Sequence, residues 1–256
     1  MSEVTGFPYQ RIVEDLRAEI FDGTRAPGEK LPSENDLADQ YGTSRPTVRR
    51  AIALLKSEGL VVSRQGQGAF VRPQPRVRLL ISGSNYRKHR AAGLPGFNAQ
   101  VLEQGLTAEQ RLLDVATIEA PVDARRRLEL DEGASVVVRR RLFLADGQPV
   151  ALCSSYYPAD MAAGTPIAEH RKIKGGVYAV IEDPAGQIHR QITRSVDDLV
   201  SRMPTREEAE ALDLSTGVPV VRVIRTVYDS EDRPVEVQDS ILAADRHEFR
   251  YEVQMR

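Results

Sequence analysis

Hydrophobic residues in the first 60 positions recur every three or four residues, the spacing that places them on one face of a helix. Three such stripes follow one another, separated by polar stretches that contain glycine. The pattern predicts three short helices around a shared core, the first running from Pro8 to about Phe21. The stripes are Ile12, Leu16 and Ile20; Leu37, Ala38 and Tyr41; and Val48, Ala51, Ile52 and Leu55.

Polar residues mark the ends of the second and third helices. Ser33 followed by Asp36 forms a capping pattern, and Gly42 is placed to end that helix in the left-handed conformation. Ser44 is placed to cap the third helix, with Pro46 in its first turn. Two helices joined by about three residues form a helix-turn-helix, whose second helix reads base edges in DNA.

After Gly59 the pattern changes to two short apolar runs, residues 60–63 and 69–71, on either side of a glycine-rich corner. This arrangement predicts a β-hairpin, and a glycine-flanked tip allows close approach to a phosphate backbone or a minor groove. We therefore interpret the first domain as a winged helix-turn-helix.

Charge separates the two parts of this domain, although the whole chain carries a net charge of only −2. Residues 1–43 hold 4 basic and 9 acidic side chains, whereas residues 44–72 hold 6 basic side chains and one acidic side chain. The basic surface therefore lies on the third helix and the hairpin, which favours contact with DNA. A solvated helix face is the alternative interpretation of the same charges. The basic residues are Arg45, Arg49, Arg50, Lys56, Arg64 and Arg72.

Residues 8–72 resemble the amino-terminal domain of the GntR regulators. The resemblance implies that Arg45, Thr47 and Arg49 make base or phosphate contacts and that Ser44 holds the phosphate backbone. It also implies that Gly66 enters the minor groove. We add Arg50 and Arg64 to the expected DNA-contact residues because they are basic residues of the third helix and the hairpin. Glu34 is expected to orient the arginines. The motifs are Pro27-Gly28-Glu29-Lys30-Leu31-Pro32-Ser33-Glu34, Ser44-Arg45-Pro46-Thr47-Val48-Arg49, Glu58-Gly59-Leu60 and Gly66-Gln67-Gly68-Ala69-Phe70-Val71.

The length of 256 residues suffices for two domains, which we place at residues 6–72 and 79–252 with a proline-rich linker at 73–78. The single cysteine, Cys153, excludes an intramolecular disulfide and a cysteine-based metal site. The chain has no apolar run of transmembrane length, so we expect a cytoplasmic protein. Basic residues run from Arg76 to Arg90 without an acidic one. This segment fits contact with DNA and packing on the second domain equally well.

The second domain contains an internal repeat. The pattern Leu-x-Leu-x-x-Gly-x-x-Val-Val begins at Leu128 and returns at Leu212, shifted by 84 residues. Each copy predicts a short helix, a long strand, a turn and a returning strand. We therefore expect an α+β domain in which a largely antiparallel sheet has pseudo-twofold symmetry, with its helices on one side. Its sheet edges are natural dimerisation surfaces.

This layout resembles the UTRA effector domain of the HutC branch of the same family, a relative of the chorismate lyase fold. The resemblance implies a small-molecule effector and a homodimer. It covers roughly residues 79–252. The stretches that carry it are Val138-Arg139-Arg140-Arg141, Asp146-Gly147-Gln148-Pro149-Val150, Ser155-Tyr156-Tyr157-Pro158, Gly175-Gly176-Val177-Tyr178, Pro234-Val235-Glu236 and Asp245-Arg246.

Arginines at alternate positions of a strand share one face, and a guanidinium binds carboxylate or phosphate in a bidentate manner. Such arginines with nearby hydroxyl groups would suit an anionic effector. Ordinary ion pairs on a solvent-facing sheet are the alternative. The candidate effector residues are Arg139, Arg141, Tyr156, Gly175, Gly176, Arg225 and Glu236.

At two positions the sequence departs from the pattern of the relatives that bind phosphorylated sugars, which argues against such a sugar as the effector. Relatives that bind such sugars commonly carry serine at the place of Gly176 and tyrosine at the place of Leu242. Backbone N–H groups at Gly175 and Gly176 could still hold an anion.

The chain is thus expected to be a sequence-specific DNA-binding regulator, most simply a homodimeric repressor that an anionic effector releases from a palindromic operator on double-stranded DNA. The alternative is an enzyme similar to chorismate lyase with an accessory DNA-binding domain. The sequence contains no nucleophile motif, no phosphate-binding glycine-rich loop and no metal-binding spacing. We therefore expect no catalytic residues, no metal and no cofactor.

Overall fold

The computed structural model describes residues 7–64, 66–73, 77–81 and 96–251. Residues 74–76 of the predicted linker at 73–78, and residues 82–90 of the basic segment, lie outside the described residues. The described residues form two compact units, within residues 1–75 together with 214–219 and within residues 76–213 together with 220–256. The grouping of 214–219 with the first unit was not predicted from the sequence.

The first unit is the predicted three-helix core with a hairpin. Ser33 and Asp36 form the reciprocal capping box of the second helix, and Gly42 ends that helix with a φ of 58°. Lys30 adds a single bridge to Phe70 at the hairpin. The elements are α1 (Pro8–Phe21), α2 (Glu34–Tyr41), α3 (Arg45–Ser57), β1 (Val61–Arg64) and β2 (Gly68–Val71).

The second unit is built on a six-stranded antiparallel sheet, with a separate parallel pair formed by β3 and β10. The strands of the large sheet follow the order β4-β5-β6-β9-β8-β7. The elements are β3 (Val77–Ile81), α4 (Gly96–Glu103), β4 (Ala108–Glu119), α5 (Val122–Arg127), β5 (Ser135–Ala145), β6 (Gln148–Pro158), α6 (Ala159–Ala162), a 3-10 turn (Pro166–Ala168), α7 (Val177–Ile181), β7 (Ile192–Arg202), α8 (Arg206–Ala211), β8 (Val220–Asp229), β9 (Pro234–Ala243) and β10 (His247–Tyr251).

The strand order reflects the internal repeat, because β4, α5, β5 and β6 correspond in sequence to β7, α8, β8 and β9. The two copies meet where β6 pairs with β9, and there Ser154 lies opposite Asp239, its own counterpart in the repeat. The pseudo-twofold axis therefore passes through this pair.

Each hairpin of the repeat contains a β-bulge at the same place. The register of β5 against β6 slips by one residue at Val150, and the register of β8 against β9 slips at the equivalent Val235. A one-residue slip exchanges the faces on which the following side chains lie. The bulges therefore decide which residues of β6 and β9 lie beside the arginines of β5.

Helices cover both faces of the sheet, so the prediction of helices on one side is wrong. The face that carries Arg139 packs against α4, α6, the 3-10 turn and α7 through two apolar clusters. The opposite face, which carries Arg140, packs against α5 through Ala124 and is bonded to α8 through Arg202 and Glu208. We call these the Arg139 face and the Arg140 face.

Candidate functional site

The third helix presents two arginines that one carboxylate holds in place. Arg49 donates two hydrogen bonds to Glu34, of 3.2 and 2.9 Å, and Arg45 lies 3.6 Å from the same carboxylate. The Arg49 guanidinium lowers the pKa of Glu34, which therefore stays ionised. Both arginine side chains remain largely exposed. The predicted orienting role of Glu34 agrees with this geometry.

The other predicted DNA-contact residues surround this pair. Ser44 and Thr47 are joined by a hydrogen bond of 2.9 Å between their hydroxyl groups. Ser44 precedes α3 as predicted, but its side chain makes no bond to the helix backbone. The Arg50 guanidinium stacks on the Tyr9 ring at 4.0 Å, which fixes the start of α1 against the third helix.

The hairpin tip leaves space beside its glycine. Gly66 has a φ of 71°, and a Cβ atom there would meet no atom of the described residues beyond its chain neighbours within 4 Å. Arg64 lies in front of the tip, with its guanidinium 4.4 Å from the centre of the Phe70 ring. The candidate residues of the first unit therefore lie on two exposed elements of one fold, α3 and the hairpin.

On the Arg139 face of the sheet, a group of five polar side chains lies beside the apolar core, four of them buried and one, Arg141, partly exposed. Arg139 and Arg141 share this face, as predicted from their spacing. The strand register adds Ser155 and Tyr157 from β6 and Glu236 from β9. We call these five residues the buried polar cluster.

Arg139 holds a loop in place. Its guanidinium donates to the backbone oxygens of Ile167 and Glu169, both at 2.8 Å, and to that of Arg171 at 2.7 Å. The side chain is 3 % exposed, and burial lowers its pKa. Arg139 thus ties the chain between the 3-10 turn and α7 to the sheet.

Arg141 has different partners. One terminal nitrogen donates to the Ser155 hydroxyl and lies 3.4 Å from the Cys153 sulfur atom. Its Nε atom is buried without a hydrogen-bond partner among the described residues. Among the described residues no ion pair includes Arg141, whereas Arg140 pairs with Asp114 and Arg225 with Asp197. An unpaired buried donor costs about 1–3 kcal/mol, which a bound acceptor would recover.

Glu236 supplies the complementary group. Its Oε1 atom accepts a hydrogen bond of 2.6 Å from the Tyr157 hydroxyl, while its Oε2 atom is buried and has no partner among the described residues. Burial first, and then the charge of Glu236, raise the pKa of Tyr157 well above its usual value, so the phenol keeps its proton. The cluster thus contains an unpaired donor and an unpaired acceptor.

The remaining candidates of the second unit differ in position. Arg225 lies on the Arg139 face, three strands away at about 14 Å, and forms two hydrogen bonds of 2.7 Å to Asp197. Its geometry fits the alternative of an ordinary ion pair. Gly175 and Gly176 precede α7 with φ near 80°, but the Gly176 N–H donates to the Ile173 carbonyl. That amide is therefore not available to an anion.

Tyr156 lies on the opposite face of the sheet from Arg139 and Arg141, so its predicted position beside them is wrong. It pairs with Val138 and packs with Ala124 on the Arg140 face, and Tyr157 takes the expected place. The Arg140 face also borders a cavity of 410 Å³. Arg141 and Cys153 also line this cavity. Its other arginines form carboxylate pairs: Arg140 with Asp114, Arg202 with Glu208 and Arg222 with Asp239.

Across residues 7–64, 66–73, 77–81 and 96–251, no group of His, Cys, Asp or Glu side chains is arranged to hold a metal ion. None of the helices within those ranges combines the length and the apolar composition that crossing a bilayer requires.

Residues 8–71 match the bacterial regulatory proteins of the gntR family, and residues 103–248 match the UTRA domain. The chain is 30 % identical to the HTH-type transcriptional repressor NagR of Bacillus subtilis over 241 aligned residues. The alignment covers 94 % of this chain and 92 % of NagR. The chain belongs to the GntR family.

Two solved structures have the same architecture as this chain. One crystal structure of a GntR-family transcriptional regulator matches with a TM-score of 0.67 and 28 % identity over 98 % of both chains. PhnF from Mycobacterium smegmatis matches with a TM-score of 0.59 and 26 % identity, over 95 % of this chain and 99 % of that one. This GntR-family chain is therefore a DNA-binding transcriptional regulator with a winged helix-turn-helix domain and a UTRA domain.

Proposed function

We propose that this regulator is a homodimeric repressor, which a small anionic effector releases from a palindromic operator by binding at the buried polar cluster. The observation that carries the proposal is that two buried polar atoms of one cluster, Nε of Arg141 and Oε2 of Glu236, have no hydrogen-bond partner among the described residues. Buried polar atoms in proteins are otherwise almost always paired. We interpret the two atoms as awaiting a ligand.

The DNA-binding part of the proposal rests on α3 and the hairpin. Arg45 and Arg49 are exposed and held side by side by Glu34, so their guanidinium groups are oriented before DNA arrives. Pre-orientation reduces the side-chain entropy lost on binding. In a twofold dimer, the two copies of α3 would read half-sites about one helical turn apart.

The chemistry of the cluster limits the class of effector. Arg141 favours a carboxylate or phosphate oxygen, whereas the free oxygen of Glu236 requires a hydroxyl or ammonium donor. Arg139 has four backbone oxygens as partners, so we assign it the role of positioning the loop that leads to α7. Gly176 and Leu242 supply neither a hydroxyl group nor a phenol, which argues against a phosphorylated sugar.

Release from DNA would follow from a population shift. An effector lowers operator affinity only as far as it binds the DNA-free geometry more tightly than the DNA-bound geometry. By linkage, the operator must weaken effector binding by the same factor. This reciprocity gives the mechanism a quantitative check.

The proposal is tested by selecting random duplex DNA on the purified full-length chain. We expect one enriched inverted repeat, which then serves as a fluorescent probe for release by small carboxylates and phosphates. A probe released from the unaltered protein but retained by Arg141→Ala supports the proposed site. No enrichment at moderate salt overturns the operator proposal, and turnover of an enolpyruvyl or related carboxylate would then favour the enzyme alternative.

A further inference from the structure

The polypeptide passes between the two compact units at three places. These junctions follow Pro75, Asp213 and Pro219, because residues 214–219 group with the first unit. A signal that travels along the covalent chain from the second unit to the first has to cross one of these junctions.

One turn of the second unit lies next to two of the junctions through its backbone. The turn joins β9 to β10 and is closed by a hydrogen bond of 3.1 Å from the Arg246 N–H to the Ala243 carbonyl oxygen. Ala243 is the register partner of Val220, the first residue after the third junction. The carbonyl oxygen of Arg246 accepts a hydrogen bond of 2.9 Å from the N–H of Val77, which follows the first junction.

The Arg246 side chain reaches the remaining junction. Its guanidinium donates hydrogen bonds of 2.6 Å to the backbone oxygens of Leu212 and Asp213, the last residues before the chain enters 214–219. α8 ends here, and the last carbonyl groups of a helix have no partner within the helix. Arg246 is 7 % exposed, so at this helix end the guanidinium takes the place of water as the donor.

The same guanidinium holds the β5–β6 hairpin. It donates to the backbone oxygen of Pro149, the residue before the bulge at Val150. Backbone groups at a bulge are partly left out of the strand pairing and need other partners when they are buried. This bulge sets which side chains of β6 lie beside Arg141. Arg246 therefore connects the hairpin that carries part of the buried polar cluster to the chain at the junctions.

The internal repeat contains this arrangement in one copy only. The counterpart of Asp213 is Glu129, and both have a positive φ, of 47° and 55°. Glu129 leads into residues 130–135, which stay within the second unit. The position that corresponds to Arg246 in the first copy holds Met161, which has no group to donate. The arginine is thus present where the chain passes to the first unit and absent where it does not.

We infer that Arg246 is the positioning residue that couples the buried polar cluster to the DNA-binding unit, because it ties the β5–β6 hairpin to the junctions. The inference rests on the proposed release mechanism and names the residue through which it acts. A ligand that displaces the hairpin would displace the chain on either side of 214–219. By linkage, operator DNA on the first unit would alter the cluster.

The single cysteine of the chain reports on the cluster without a known effector. Cys153 is 2 % exposed and its sulfur atom lies 3.4 Å from Arg141, so iodoacetamide reaches it only when this part of the sheet opens. Labelling is timed on the full-length chain alone, with the selected operator duplex and with a scrambled duplex of equal length. Allosteric coupling commonly amounts to about 5- to 150-fold, so the operator should change the labelling rate at least about fivefold.

Arg246→Lys puts one compact ammonium group in place of the fork that binds the three backbone oxygens. We expect the operator to bind this variant but to change its labelling rate by less than about twofold. A purely structural role would change the rates of the free and the operator-bound protein by the same factor. The matched control is Arg233→Lys at another turn of the second unit, where the arginine donates to Asp229 at 2.9 Å. It should keep the full operator effect.

An operator effect that Arg246→Lys abolishes and Arg233→Lys keeps supports the inference. An effect that persists in Arg246→Lys overturns the inference and leaves the release mechanism standing. No operator effect in the unaltered protein overturns both.

Hydrogen exchange of the unaltered protein decides the question if Arg246→Lys does not fold. Operator binding should change the exchange rates of the Val77 and Arg246 amides, whose hydrogen bonds lie at the turn. Unchanged rates at both amides, with an altered labelling rate of Cys153, would show that the coupling takes another route and would overturn the inference.

Discussion

The regulator carries two pairs of arginines, each on one face of an element, in opposite physical settings. Arg45 and Arg49 lie on an exposed helix and share the carboxylate of Glu34. Arg139 and Arg141 lie on a covered sheet face, and their described partners are backbone oxygens, a hydroxyl group and a thiol. The exposed pair shares one negative charge and stays hydrated, whereas the pair on the sheet lies at a largely covered site.

The difference shows how the same side chain serves two kinds of recognition. An exposed arginine can exchange its carboxylate for a phosphate of DNA at little cost, because water solvates the intermediate states, and its binding is weakened by salt. A buried arginine has already lost its hydration, so a ligand that fits recovers a strong charge-assisted bond. The exposed pair suits a long polyanion, and the buried pair suits one small molecule.

The largest expected effect is on the exposed pair. Arg49→Ala should lower operator affinity at least about 25-fold, because each base or phosphate contact contributes about fivefold or more and a dimer loses two. Fluorescence anisotropy on the selected operator measures the change. Arg11→Ala, an exposed arginine of α1, is the matched control and should bind normally. Unchanged affinity in Arg49→Ala would remove this residue from the interface.

Variants of two adjacent residues on opposite faces of the sheet, Arg141 and Arg140, test where the effector binds. Arg141→Ala should weaken the effector response about 10- to 150-fold, the range of one charge-assisted hydrogen bond, and leave operator affinity nearly unchanged. Arg140→Ala, its neighbour on the Arg140 face, should respond normally. The measurement is the effector concentration that releases half of the probe. A weakened response in Arg140→Ala together with a normal response in Arg141→Ala would indicate that the effector binds in the cavity of the Arg140 face.

Two adjacent tyrosines test whether the Tyr157 hydroxyl group pairs with Glu236 in the buried polar cluster. Tyr157→Phe removes the hydroxyl that donates to Glu236 and leaves a buried carboxylate oxygen unpaired, so stability should fall by about 1–3 kcal/mol. Tyr156→Phe, on the other face, should change stability by less than about 0.5 kcal/mol. Urea denaturation of both variants gives the difference. Equal losses would mean that Glu236 does not depend on Tyr157.

The smallest effect concerns Glu34. Its pKa is lowered in the folded state, so its ion pairs stabilise the fold above the unfolded pKa of about 4 and cease to do so as the pH falls through the lower folded value. Glu34→Gln should therefore cost at most about 1 kcal/mol at pH 7, since the side chain is partly exposed. The difference from the unaltered protein should shrink as the pH falls below about 4 and vanish once Glu34 is protonated in the folded state. A difference that persists there would not be electrostatic.

The error at Tyr156 shows where sequence analysis reaches its limit. The two-residue turn at Asp146 and Gly147, both with positive φ, fixes a register that by itself would set Tyr156 beside Val137, on the Arg139 face. The bulge at Val150 shifts the pairing by one residue and puts Tyr157 there instead. Its repeat counterpart at Val235 likewise shifts β9, and Glu236 comes to face the arginines.

The sequence by itself determined the helix stripes, the Ser33 capping box, the Gly42 helix end, the hairpin turns and the internal repeat. Each depends on residues a few positions apart, or on a direct match between two segments. The tertiary structure alone decided which hydroxyl groups meet Arg141, that Arg139 holds the loop after the 3-10 turn, and which polar atoms stay unpaired. These contacts depend on strand register and on both sheet faces being packed at once, and a one-residue bulge changes them without altering the hydrophobic pattern.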